Sequence, residues 1–134
     1  MKKLSKPTDS ELEILQILWE NSPRTVREVN EILNKKRETG YTTTLKFMQI
    51  MFEKGLVSRE KSGKTHFYTA EVQEQDIQQA LLDRFIDRVF KGSASKLMMQ
   101  ALGRKQASPE ELKEMQEILK NLEDENKDKS DGSN

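Results

Sequence analysis

Between residues 41 and 70 a segment of helical period runs straight into one of strand period, and this junction constrains the fold more than any other stretch. The helical part, Tyr41 to Lys54, closes on Gly55, the residue type best suited to a left-handed C-cap, and follows Gly40 and a threonine run suited to an N-cap. The strand part is a hairpin: Leu56, Val57 and Arg59 lead into Ser62 and Gly63, and Thr65, His66, Phe67 and Tyr68 return. Two strands alone are not stable in water, so the hairpin must lean on helices.

Phe47, Met48 and Met51, with Thr44 one turn earlier, mark the inward face of this helix. On the other side Thr42, Lys46, Gln49 and Glu53 follow one another at helical spacing, with Thr43 beside them. Hydroxyl, ammonium and amide groups suit phosphate oxygens and base edges, and a major groove ~12 Å wide admits one helix. Thr43, Lys46 and Gln49 are therefore the expected base-facing residues, with Thr42 in the same row. Arg59, Lys61 and Lys64 bracket the hairpin turn, within reach of flanking phosphates. Taken singly each is an ordinary solvated side chain, and it is their order that suggests a DNA-binding set. Ile50 and Phe52 fit neither face, and contact with a thymine methyl is one use for such groups.

Upstream, Thr8 to Glu11 and Thr25 to Glu28 are two capping boxes, each opening a helix. The first helix carries Leu12, Ile14, Leu15, Ile17, Leu18 and Trp19 on a wide apolar face and should be central to the core. The second is short, with Val29, Ile32 and Leu33 inward, and a polar loop from Lys35 to Gly40 follows. Helix, short helix, loop, helix, hairpin is the order of a winged helix-turn-helix. Trp19 and Tyr41 are read as core aromatics rather than stacking platforms. His66 has no second histidine or cysteine to join in a metal site or triad, which leaves strand pairing or a phosphate contact.

The chain has no cysteine and a formal net charge of zero. The first point removes disulfides, thiolate metal sites and thiol catalysis, and agrees with a reducing, cytoplasmic setting. The second hides a split, because residues 1–70 hold 13 Lys and Arg against 9 Asp and Glu, whereas residues 71–134 hold 10 against 14. Basic character sits with the helix and hairpin, where nucleic acid would require it. No apolar run approaches the ~20 residues needed to span a bilayer, and Met1 to Leu4 lacks a signal-peptide core.

In the second half a long helix from Gln75 to Lys91 spreads Ile77, Leu81, Phe85 and Val89, among others, over more than one stripe. A short helix with Leu97 follows, and Ser108-Pro109-Glu110-Glu111 opens a last one in which Leu112, Met115, Leu119 and Leu122 keep the seam spacing of a helix pair. These helices either fold back on one chain or bury against a second copy, and their excess apolar area favours the copy. The nine residues Ile77, Leu81, Phe85, Val89, Leu97, Leu112, Met115, Leu119 and Leu122 are the expected dimer contacts. Residues 123–134 have no large apolar side chain and are expected to be disordered.

The reading is thus a mainly α chain with a small β hairpin: a winged helix-turn-helix DNA-binding domain over residues 1–72, a helical dimerisation domain over 73–122, and a polar tail over 123–134. No cofactor, metal or catalytic residue is expected, since the acidic pairs are explained by caps and solvated faces. A winged helix serving only as a protein-interaction module is the alternative, and salt dependence separates the two.

The segments E-L-E-I-L-Q-I-L-W at 11–19, T-V-R-E-V at 25–29, Y-T-T-T-L-K at 41–46 and E-K-G-L-V at 53–57 resemble the bacterial penicillinase-repressor family of winged-helix regulators, over roughly residues 7–122. The resemblance implies a homodimeric transcriptional repressor whose winged domains each read half of a palindromic promoter operator, with Thr42, Thr43, Lys46 and Gln49 as the recognition positions. Leu45 and Ile50 stand where family members carry basic residues, so the operator sequence does not transfer. In the antibiotic-sensing branch the resemblance implies a membrane metalloprotease sensor as a further partner, acting through cleavage at an Asn-Phe bond. This chain has no Asn-Phe pair, and no cysteine cluster such as the copper-sensing branch uses.

Overall fold

The computed structural model describes residues 6–104 and 107–131, with side chains described as far as residue 127. Among them run α1 (Asp9–Glu20), α2 (Val26–Asn34), α3 (Tyr41–Lys54), β1 (Val57–Ser62), β2 (Thr65–Ala70), α4 (Glu74–Val89), α5 (Ala94–Gly103) and α6 (Pro109–Asp131). The chain divides into two compact units, residues 1–84 and 85–134.

In the first unit both expected capping boxes form. Thr8 and Glu11 exchange backbone-to-side-chain hydrogen bonds of 2.9 and 3.2 Å, and Thr25 and Glu28 do the same at 2.9 and 3.2 Å. α3 starts at Gly40 without a side-chain cap, because the threonine run lies inside the helix rather than ahead of it. It ends at Gly55, whose φ of 81° is the left-handed conformation that a side chain would resist. β1 and β2 pair antiparallel from Val57–Ala70 to Ser62–Thr65, leaving Gly63 and Lys64 as a two-residue loop. Only the first of these has positive φ, 64°, as a type II′ turn requires.

Ile14, Leu15 and Leu18 of α1, Val29 and Leu33 of α2, Met48 and Met51 of α3, and Leu56, Val57 and Tyr68 of the hairpin form one buried cluster. Trp19 packs against it and donates from Nε1 to the Val72 carbonyl at 2.9 Å, which satisfies its polar atom as a core tryptophan needs. The turn between α2 and α3 is fixed by an amide. Asn30 Nδ2 donates to the Thr39 carbonyl and to the buried Thr44 Oγ1, both at 2.9 Å, and Asn34 Oδ1 accepts from the Thr39 N–H at 2.8 Å. Asn30→Ala is therefore expected to cost about 1–2 kcal/mol, the penalty for buried polar groups left without a partner. A thermal melt unchanged from wild type would show that the turn is held by other means.

Three expectations are corrected. The boundary between compact units falls inside α4 rather than before it, because Ile77 is only 1% exposed and the first turns of α4 belong to the first unit. Tyr41 is not a core residue but is half exposed, since it sits where α3 begins. Residues 123–131 are helical rather than disordered, because they prolong a helix already nucleated at Pro109. Propagation adds a hydrogen bond for each residue ordered and carries no nucleation cost, and Glu123 precedes Lys127 at the favourable four-residue spacing. Residues 132–134 of the expected tail lie outside the described residues. At the start of α6 the Ser108–Glu111 capping box forms as read, with bonds of 3.0 and 3.2 Å.

Candidate nucleic-acid interface

α3 buries Thr44, Met48 and Met51 completely and thereby turns Thr42, Thr43, Lys46, Gln49 and Glu53 outward. All four residues expected on the reading face are exposed. On one flank of that row, Tyr41, Leu45 and Gln49 border an open cleft of about 640 Å³. Its other walls are Thr25 and Arg27 at the start of α2, and Arg59, Lys64, Thr65 and His66 of the hairpin. Thr42, Thr43 and Lys46 lie outside the cleft lining, as does Lys61, which stands exposed on β1 opposite His66.

The position of this cleft follows from Tyr68. Its backbone exchanges two hydrogen bonds with Arg24, of 2.8 and 3.0 Å, which stitch the segment entering α2 to the middle of β2. Its side chain is buried, and its Oη accepts from Arg59 Nη1 at 3.4 Å, Arg59 being its partner across the ladder. The Arg59 guanidinium also lies 4.0 Å from the centre of the Phe52 ring. Such cation–π contacts are worth about 0.5–1 kcal/mol where solvent reaches them. Phe52, which fitted neither face of α3 in the sequence, is thus a platform for a wing arginine.

Sequence reasoning missed Thr25, Arg27 and Tyr41 as parts of this surface. Thr25 and Arg27 were legible only as an N-cap and a first-turn residue, since nothing local announces that a strand over 40 residues later pairs beside them. Among the residues expected at a dimer contact, Ile77 is covered within its own chain and offers no surface to another. Leu81, Leu97 and Met115 are half-buried. Phe85, Val89, Leu112, Leu119 and Leu122 are between 42% and 56% exposed, which is unusual for so many large apolar groups on one chain.

A half-buried hairpin stitched to three helices, with an exposed polar row on the third and basic side chains on the wing, defines a winged helix-turn-helix DNA-binding regulator. The chain belongs to the penicillinase repressor family, whose family model matches residues 7–121, and this is a family of transcriptional repressors rather than enzymes. It is 28% identical over 119 residues to the penicillinase repressor of Bacillus licheniformis, covering 89% of this chain and 93% of that one. It is 25% identical over 112 residues to the methicillin resistance regulatory protein MecI of Mammaliicoccus sciuri, covering 84% and 91%. The solution structure of the DNA-binding domain of the repressor BlaI is similar with a TM-score of 0.50 at 29% identity, over 57% of this chain and 93% of that chain. Among the described residues no helix is long and apolar enough to cross a membrane.

Proposed function

We propose that this chain works in the bacterial cytoplasm as a homodimeric repressor that occupies a pseudo-palindromic promoter operator, each protomer setting α3 into the major groove of one half-site. The observation that carries this reading is the exposed row Thr42, Thr43, Lys46 and Gln49 on a helix whose opposite face is fully buried. Thr43, Lys46 and Gln49 face bases, while Arg59, Lys61 and Lys64 neutralise phosphates beside the groove. The exposed leucines of α6 and the exposed residues of the second half of α4 supply the apolar surface for a second copy, and twofold symmetry in the protein then demands it in the site.

Selection of duplexes from a random pool by the purified protein tests this directly. Two dyad-related half-sites are expected, their centres separated by about one helical turn (~34–36 Å) or a multiple of it. A pool that gains no consensus would sink the reading. On the selected duplex, Lys46→Ala or Gln49→Ala should each weaken specific binding by about 1–2 kcal/mol while leaving binding to random duplex nearly unchanged. If both variants bind as wild type does, the assignment of these residues to base reading fails.

A further inference from the structure

We infer that the cleft between the start of α2, α3 and the wing is a phosphate-binding site, occupied by one backbone phosphate of the bound duplex, with Arg27 and Arg59 as its principal ligands. This rests on the DNA-binding reading above and adds to it a site and a residue, Arg27, outside the expected recognition set.

Three cationic side chains, Arg27, Arg59 and Lys64, come to one cleft from three places in the chain, and its lining contains no carboxylate. A guanidinium presents paired N–H groups to two phosphate oxygens at once, and two of the three cations are arginines. Thr25, which lines the same cleft, caps a nine-residue helix, so the partial positive charge of the α2 N-terminus adds to the field. His66 lines the same cleft, and an imidazole N–H can add a further donor to the set.

The site is also assembled before any ligand arrives. Phe52 and the Tyr68 hydroxyl hold Arg59 from two directions, and the Arg24–Tyr68 pairing holds the α2 start against the wing. Preorganisation of this kind lowers the entropy lost on binding. Gln49 belongs both to the cleft rim and to the outward row of α3, so a strand whose bases meet that row passes its backbone over the cleft. That continuity favours a duplex phosphate over a free phosphorylated small molecule.

The experiment uses the full chain and the duplex it selects, with single phosphates replaced in turn by neutral methylphosphonate. Wild type should be sensitive at one phosphate in each half-site that Arg27→Ala no longer senses. Arg27 is exposed, so this variant keeps the fold. Its affinity should fall about tenfold, with the slope of log K against log salt reduced by about one unit. Arg27→Lys should restore the slope but only part of the affinity, because an ammonium cannot bond in the paired geometry. An Arg27→Ala protein with the wild-type slope and methylphosphonate profile, while Lys46→Ala still weakens binding, overturns the site and leaves the DNA-binding reading intact. A wild type that binds no duplex, yet shows shifts at Arg27 and His66 with millimolar inorganic phosphate, overturns the duplex as the source. No shifts under either condition overturn the site altogether.

Discussion

Raising the salt from 50 to 200 mM is expected to lower the affinity of the proposed dimer for its selected duplex by about 10³- to 10⁵-fold, the response of a protein that neutralises roughly 6–10 phosphates. The expectation is not obvious for a chain of zero formal charge. It rests on where the charges lie. Arg27, Arg59, Lys61 and Lys64 all stand on the wing or in the cleft beside it, which supplies four phosphate-facing cations per protomer and eight per dimer, while Lys46 is turned to the bases. The acidic surplus lies in residues 71–134, beyond the hairpin, and at these ionic strengths screening over ~7–14 Å blunts its opposition. Fluorescence anisotropy across a salt series measures the slope. A slope near zero would point to a partner held by apolar contact and would favour the protein-interaction reading of the winged helix.

Lys54→Met is expected to destabilise the first unit by about 3 kcal/mol, at the lower end for breaking a buried ion pair because the lysine itself remains partly solvated. The Glu11 side chain is 3% exposed and that of Lys54 32% exposed, with Lys54 Nζ 2.7 Å from Glu11 Oε1. Burial pushes the Glu11 carboxyl up, but the Lys54 ammonium and the Thr8 N–H more than offset this, so the group lies below its ordinary value. A depressed folded value means that the contribution is present above the unfolded value and is lost as pH falls through the folded one. In the variant the carboxyl keeps its burial and loses its cation, which raises it. The difference in urea stability between wild type and Lys54→Met should therefore be largest near neutral pH and shrink on acidification. A difference independent of pH would mean that Lys54 acts through packing alone. The pair matters for function because it ties the C-terminal end of the reading helix to α1.

Much of the fold was legible because its signals are local. Thr8, Thr25 and Ser108 announce helix starts three residues ahead of their glutamates, and Gly55 and Gly63 announce a helix end and a turn through conformations that other residues resist. The outward row of α3 was legible for a similar reason, since periodicity alone decides which residues oppose Met48 and Met51. Where local composition misled, as in residues 123–131, the missing fact was that a helix had already been nucleated upstream. Ile77 misled in the opposite way, because its place on an amphipathic helix says that it is buried but not by which surface.

The sequence by itself determined the order of elements, the face that α3 turns outward and the family to which the chain belongs. Those follow from caps, turns and periods that span a few residues each. Only the tertiary structure decided that Arg24 pairs with Tyr68, that Phe52 holds Arg59, and that Arg27, Lys64 and His66 share one cleft. These contacts join residues far apart in the chain, and they exist because burying Tyr68 against the helical core brings the wing back onto the start of α2.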